Sequence, residues 1–218
     1  MSLQLFFHPF SSYSQKALIA LYENGTPFTV RVLSPEDPAT GAEFAARWPI
    51  KRFPILVDGE RTILEASTVI EYLDAAHPGP VRLIPQDPLA AVDVRMMDRV
   101  FDNYVSTPQQ KLVYDALRAP EARDAQGVGE ARAALETAYA WLDARMVDRE
   151  WAAGTFSLAD CAAAPALFYA DWSHKIADRF ANLLAYRARL LARPSFARAV
   201  DAARPFRPYF PLGAPDRD

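Results

Sequence analysis

Three short stretches in the first third of the chain combine residue types that can hold an anion or a zwitterion. Phe10-Ser11-Ser12-Tyr13-Ser14 follows an apolar run, Leu3 to Phe7, and opens a segment with apolar residues at 17, 18, 20, 21 and 22. A helix starting there presents unpaired amides and about half a positive charge, which favour a thiolate or a phosphate. The serine hydroxyls add donors, although Ser11 or Ser12 acting only as an N-cap explains the same pattern. In Trp48-Pro49-Ile50-Lys51-Arg52-Phe53-Pro54-Ile55-Leu56, a proline stands directly before a strand-like run. That position suggests an edge, a bend or a cis peptide, or an ordinary trans start. With a cis bond, the Phe53 backbone could pair with an extended peptide, and Lys51 and Arg52 would stand beside it as carboxylate partners. Ile63-Leu64-Glu65-Ala66-Ser67-Thr68 is a strand-to-helix junction. Its amides can hold a carboxylate while Glu65 receives an ammonium, or Ser67 simply caps the helix. Two helix starts and one proline-led strand together suit a zwitterionic peptide.

The elements that must position these residues follow from periodicity. Leu3 to Phe7 reads as a buried strand, Ser11 to Asn24 as a helix stopped by Gly25, and Phe28 to Val32 as a half-buried strand. Glu43 to Trp48 reads as a short helix ended by Pro49. Asp58-Gly59 joins strands at 55–57 and 62–63, and Ser67 to Ala76 is a helix, giving the order β-α-β-α-β-β-α. Prolines 78, 80, 85 and 88 mark a linker over 78–88, between a first domain, 1–77, and a second, 89–218. Alanine divides the chain similarly, with 9 in the first 78 residues and 30 in the remaining 140. The second part has helical spacing over 89–117, 130–146, 180–192 and 195–203. Ser157-Leu158-Ala159-Asp160 is a capping box opening a helix that Pro165 should bend. The tail from Pro205, with four prolines, is expected to lie extended over the surface.

Composition excludes several classes. The 218 residues are 51% hydrophobic and 23% charged, as in an ordinary globular protein. A single cysteine, Cys161, excludes an intrachain disulfide, a CxxC pair, a thiolate zinc cage and a cysteine-ligated cluster, so no metal is expected. A net charge of −3 provides no field for nucleic acid. The start lacks a signal-peptide pattern, and the apolar stretch 161–170 is half a membrane span, so a cytoplasmic protein is expected.

Ser-Ser-x-Ser after strand one, Phe-Pro-Ile-Leu-Val-Asp-Gly, Glu-Ala-Ser-x-Val-Ile-Glu-Tyr-Leu and Ser-Leu-Ala-Asp, in this order and spacing, resemble the glutathione S-transferase family. The resemblance implies a thioredoxin-like N-terminal domain, an all-helical C-terminal domain, glutathione as cosubstrate, a detoxifying transferase activity and a homodimer. By the same resemblance, Ser11 would hydrogen-bond the glutathione sulfur, with Ser12 as its possible substitute. Phe53, before a cis Pro54, would pair with the cysteinyl unit. Glu65 and the amides of Ala66 and Ser67 would hold the γ-glutamyl group, and Arg52 the glycyl carboxylate. Phe10, Phe101 and Tyr104 are candidates for the electrophile pocket, or else for interdomain core. Ala66 departs from the serine many members carry beside the acidic residue, removing one side-chain hydrogen bond. Ser-Ser-Tyr-Ser is similar to the Ser-Ser-Cys motif of the zeta class, with Tyr13 in place of the cysteine. A glutathione-dependent isomerase or dehalogenase, and a non-catalytic glutathione-binding protein, are the alternatives.

Overall fold

The computed structural model describes residues 3–218. Its first part is a four-stranded sheet of β1 (Leu3–Phe7), β2 (Phe28–Val32), β3 (Ile55–Asp58) and β4 (Arg61–Ile63), in the order β2-β1-β3-β4. β1 runs parallel to β2 and antiparallel to β3, with Leu5 opposite both Val30 and Leu56. The period of two sorts the side chains: Leu3, Leu5, Phe7, Leu56 and Ile63 enter the main core, while Phe6, Ile55 and Val57 meet Phe44 on the other face. Because both faces are covered, β1 is apolar at nearly every position instead of alternating. Gly59, at φ +60°, makes the turn between β3 and β4.

Three helices flank the sheet: α1 (Ser12–Glu23), α2 (Pro38–Arg47) and α3 (Ala66–Ala76). α2 starts five residues earlier than its apolar pattern suggests. The Asp37 side chain caps it by accepting from the Thr40 amide at 3.0 Å, and Pro38 occupies the first turn, where no N–H is needed. Those residues read as a loop in sequence because their role is capping, not burial.

The second part contains α4 (Pro88–Val100), α5 (Thr107–Ala116), α6 (Ala125–Arg145), α7 (Leu158–Ser173), α8 (Ala181–Leu191) and α9 (Pro194–Ala203). The expected continuous helix over 89–117 is instead two helices joined by a π-helical segment, Phe101–Ser106. Pro108 has no N–H to return to the Tyr104 carbonyl, so regular pairing fails at that point. α7 passes through Pro165 without interruption; at its start the Asp160 carboxylate accepts from the Ser157 amide at 2.9 Å. The whole of α7 through Trp172 is buried, and α1, α3, α4 and the π-helical segment pack against it. One core therefore runs through both parts.

The tail does not lie extended. Residues 204–209 form a 3-10 helix, and Phe210 is buried against Tyr169 and Trp172. Arg204 and Arg207 both pair with Asp218, which ties the remaining residues back to this turn. The prolines suggested extension, but Phe206 and Phe210 supply apolar surface that is better buried.

Candidate functional site

A cleft of about 660 Å³ lies between the sheet edge and the helical part. Phe10, Ser11, Ser12, Arg52, Phe53, Pro54, Glu65 and Ala66 line it, so residues from all three singled-out stretches meet there. Ser11 is the N-cap of α1, its hydroxyl accepting from the Ser14 amide at 3.2 Å. A hydroxyl has two lone pairs and one hydrogen, so capping leaves the O–H free to donate. Capping and thiolate binding are thus compatible at Ser11. Ser12 is the first residue of the helix, where the amide has no carbonyl one turn back.

At the start of α3, Glu65 sits at the N-cap position with φ +64°, a left-handed value unusual for a residue with a side chain. Its side chain makes no capping hydrogen bond, and Glu65 lines the cleft. Ala66 follows as the first helical residue. The Phe53–Pro54 peptide is cis, and Arg52 donates to the Tyr114 hydroxyl across the cleft at 3.3 Å. Lys51 also lines the cleft.

Three expected residues are placed differently. Ser67 neither caps α3 nor lines the cleft; its hydroxyl accepts from Lys16 Nζ at 2.9 Å and donates to Asp98 Oδ2 at 2.9 Å. Phe101 is fully buried, near Tyr186, because the π-helical segment turns its side chain into the core. Tyr104, on the same segment, is 62% exposed and lines a separate groove with Lys111 and Gln126. Of the three aromatic candidates only Phe10 reaches the cleft, where its edge meets Tyr169 at 5.5 Å and Phe210 at 6.2 Å.

The cleft also contains residues not anticipated from sequence: His8, Tyr13, Arg99, Asp102, Gln110, Tyr169 and Phe210 among them. Lys16, 1% exposed, anchors a charge cluster behind it, with Nζ 2.5 Å from Asp98 and 2.9 Å from Asp102. Arg99 contacts Asp98 and Ser67. Burial raises the Asp102 carboxyl from its ordinary value, and Lys16 opposes that shift. Burial also pushes the Tyr13 phenol up to about 12, so it stays protonated at neutral pH. A lysine inside the apolar stretch of α1 and two aspartates four positions apart in a stretch of helical spacing were the available sequence signal.

Among the described residues, no group of three or more His, Cys, Asp and Glu could hold a metal ion, and no helix is long and apolar enough to cross a membrane. Cys161 is buried in α7, and burial pushes its thiol well above the ordinary value, so the cleft has no protein thiol of its own.

A small mixed sheet with helices, then a helical bundle, with a cleft between them, defines the class. Residues 5–81 match the glutathione S-transferase N-terminal domain and residues 114–189 the C-terminal domain. The chain belongs to the glutathione S-transferase family. A glutathione S-transferase from Methylobacterium radiotolerans, solved in complex with glutathione sulfonate, superposes with a TM-score of 0.79 at 29% identity, covering 92% of this chain and 95% of that one. A stringent starvation protein A homolog of Haemophilus ducreyi is 26% identical, covering 88% of this chain and 87% of its own length. A probable maleylacetoacetate isomerase of Vibrio cholerae is 28% identical over 75% of this chain and 78% of its own length.

Proposed function

We propose that the protein binds glutathione in this cleft and activates its thiol through Ser11 for attack on a small apolar electrophile. The observation that carries the reading is the meeting of Ser11, Glu65 and the cis Phe53–Pro54 pair in one cleft. The Methylobacterium relative, with its bound glutathione sulfonate, supports the ligand.

Glu65 receives the γ-glutamyl ammonium, and the Ala66 amide at the start of α3 receives its carboxylate. The Phe53 backbone pairs with the cysteinyl unit, and Arg52 takes the glycyl carboxylate. The sulfur then lies at the start of α1, with Ser12 beside Ser11. Phe10, Tyr169 and Phe210 form the apolar wall for the second substrate. A free thiol titrates at ~8.5, so only a few per cent is thiolate at neutral pH. Lowering that pKa by about two units takes roughly 2.7 kcal/mol, within reach of one hydroxyl donor and a helix dipole.

Ser11→Ala should raise the bound thiol pKa and slow conjugation roughly 10- to 100-fold, with a smaller effect for Ser12→Ala. Thiolate absorbance against pH and initial rates measure both, and unchanged activity in Ser11→Ala would sink the assignment. The isomerase-named relative favours a second reading, in which the thiolate adds and later leaves. Product analysis separates them, since isomerisation regenerates glutathione and conjugation consumes it.

A further inference from the structure

His8 stands just past the end of β1, where the chain leaves the sheet for the Ser11 turn, and it lines the cleft. The backbone holds it on both sides. Its carbonyl accepts from the Ser11 amide at 3.0 Å, and its Nδ1 lies 3.1 Å from the Phe10 amide nitrogen. An amide can only donate, so Nδ1 must present its lone pair, and in the neutral ring the hydrogen is on Nε2. The ring packs edge-to-face on Phe206, with the centroids 4.6 Å apart. Nε2 has no hydrogen-bond partner among the described residues and is not among the buried, unpaired atoms, so it reaches open space. Burial lowers the His8 pKa below 6.5, which keeps the ring neutral at physiological pH.

We propose that the His8 Nε2–H is a second catalytic donor of this cleft, stabilising negative charge that develops on an oxygen of the electrophile. The inference rests on the transferase reading and narrows its substrate class to acceptors that delocalise charge onto oxygen, such as conjugated enones. In that reaction the glutathione sulfur forms a bond to the β-carbon, the carbon–carbon π pair shifts to join the α-carbon to the carbonyl carbon, and the carbonyl π pair moves onto oxygen to give an enolate. Solvent, having taken the thiol proton, returns one to the α-carbon. His8 donates a hydrogen bond to the enolate oxygen and keeps its proton. Displacement of halide from a saturated carbon puts no charge on oxygen and draws nothing from this donor.

Two substitutions separate the donor from the fold. His8→Asn keeps an acceptor for the Phe10 amide but deletes the group at the Nε2 position, while His8→Gln places an amide donor near it. Each is assayed with glutathione and benzylideneacetone or benzyl chloride. In His8→Asn the ratio of kcat for the enone over kcat for the halide should fall by roughly 100- to 1,000-fold, the scale of losing one oxyanion donor. His8→Gln should recover part of it. An unchanged ratio in His8→Asn, or a wild-type protein that conjugates the halide but not the enone, overturns the inference alone. A wild-type protein that conjugates neither, with no thermal shift on adding glutathione, overturns the transferase reading beneath it as well.

Discussion

At Ser11 two roles share one side chain, and they use different parts of it. The oxygen lone pair closes the first turn of α1 through the Ser14 amide, and the hydrogen remains for the cleft. Substitution can therefore separate helix stability from thiol activation. Removing the cap in Ser11→Ala should cost about 1 kcal/mol. Ser11→Asp should recover that loss, because aspartate is an equally good N-cap and its charge suits a helix start. The same carboxylate stands where the sulfur must carry negative charge, so conjugation should be slower in Ser11→Asp than in Ser11→Ala. Chemical denaturation and initial rates on the three proteins measure both quantities. An aspartate variant as active as the wild type would mean that the sulfur does not lie at this position.

Among the elements, α1, α3 and α4 are joined by charge as well as by apolar packing. Lys16 reaches from α1 to Asp98 on α4 and to Asp102 on the π-helical segment, and Ser67 of α3 completes the cluster. A lysine this deeply buried would be costly alone, and paired carboxylates offset that cost. Because burial raises the Asp102 carboxyl, the folded protein keeps that proton to a higher pH than the unfolded chain does. By linkage, its stabilising contribution is fully present below the unfolded value of about 3.9 and is lost as pH rises through the raised folded value. Wild type should therefore lose stability relative to Asp102→Asn as pH rises above about 4, a trend that urea denaturation at a series of pH values can follow. Parallel pH profiles in the two proteins would place the Asp102 titration outside the folding equilibrium. The cluster also marks a boundary of what the sequence could convey. Strands and helices came from local spacing, and Ser11, Glu65 and Phe53 from local junctions. Lys16, Asp98 and Asp102 meet only after residues about 80 positions apart in sequence fold together. The same reason displaced Phe101 and Tyr104, whose helical stripe is rotated by a π-helical segment that no local period reveals.

For the whole molecule, the cleft is built from one chain, yet an apolar surface remains uncovered elsewhere. α4 turns Ala91, Val94 and Met97 inward and carries a second apolar stripe of Leu89, Val92 and Met96, which are 77%, 57% and 44% exposed. A helix apolar on both sides is normally buried on both sides. We propose that a second copy of this chain covers the outer face of α4, as the homodimer the sequence resemblance implies. Each copy would then cover the other's stripe, since a two-fold contact uses the same patch twice. Val92→Glu places a charge in the middle of that patch without touching the inward face. Light scattering on a sizing column should find a dimer for the wild type and a monomer for this variant at micromolar concentration. Because Ser11, Glu65, Arg52 and the aromatic wall all come from one chain, the monomer should still gain thermal stability on adding glutathione. A wild-type monomer would remove the dimer from the account and leave the stripe unexplained. Loss of the glutathione response in a folded Val92→Glu monomer would mean that the neighbouring copy completes the site.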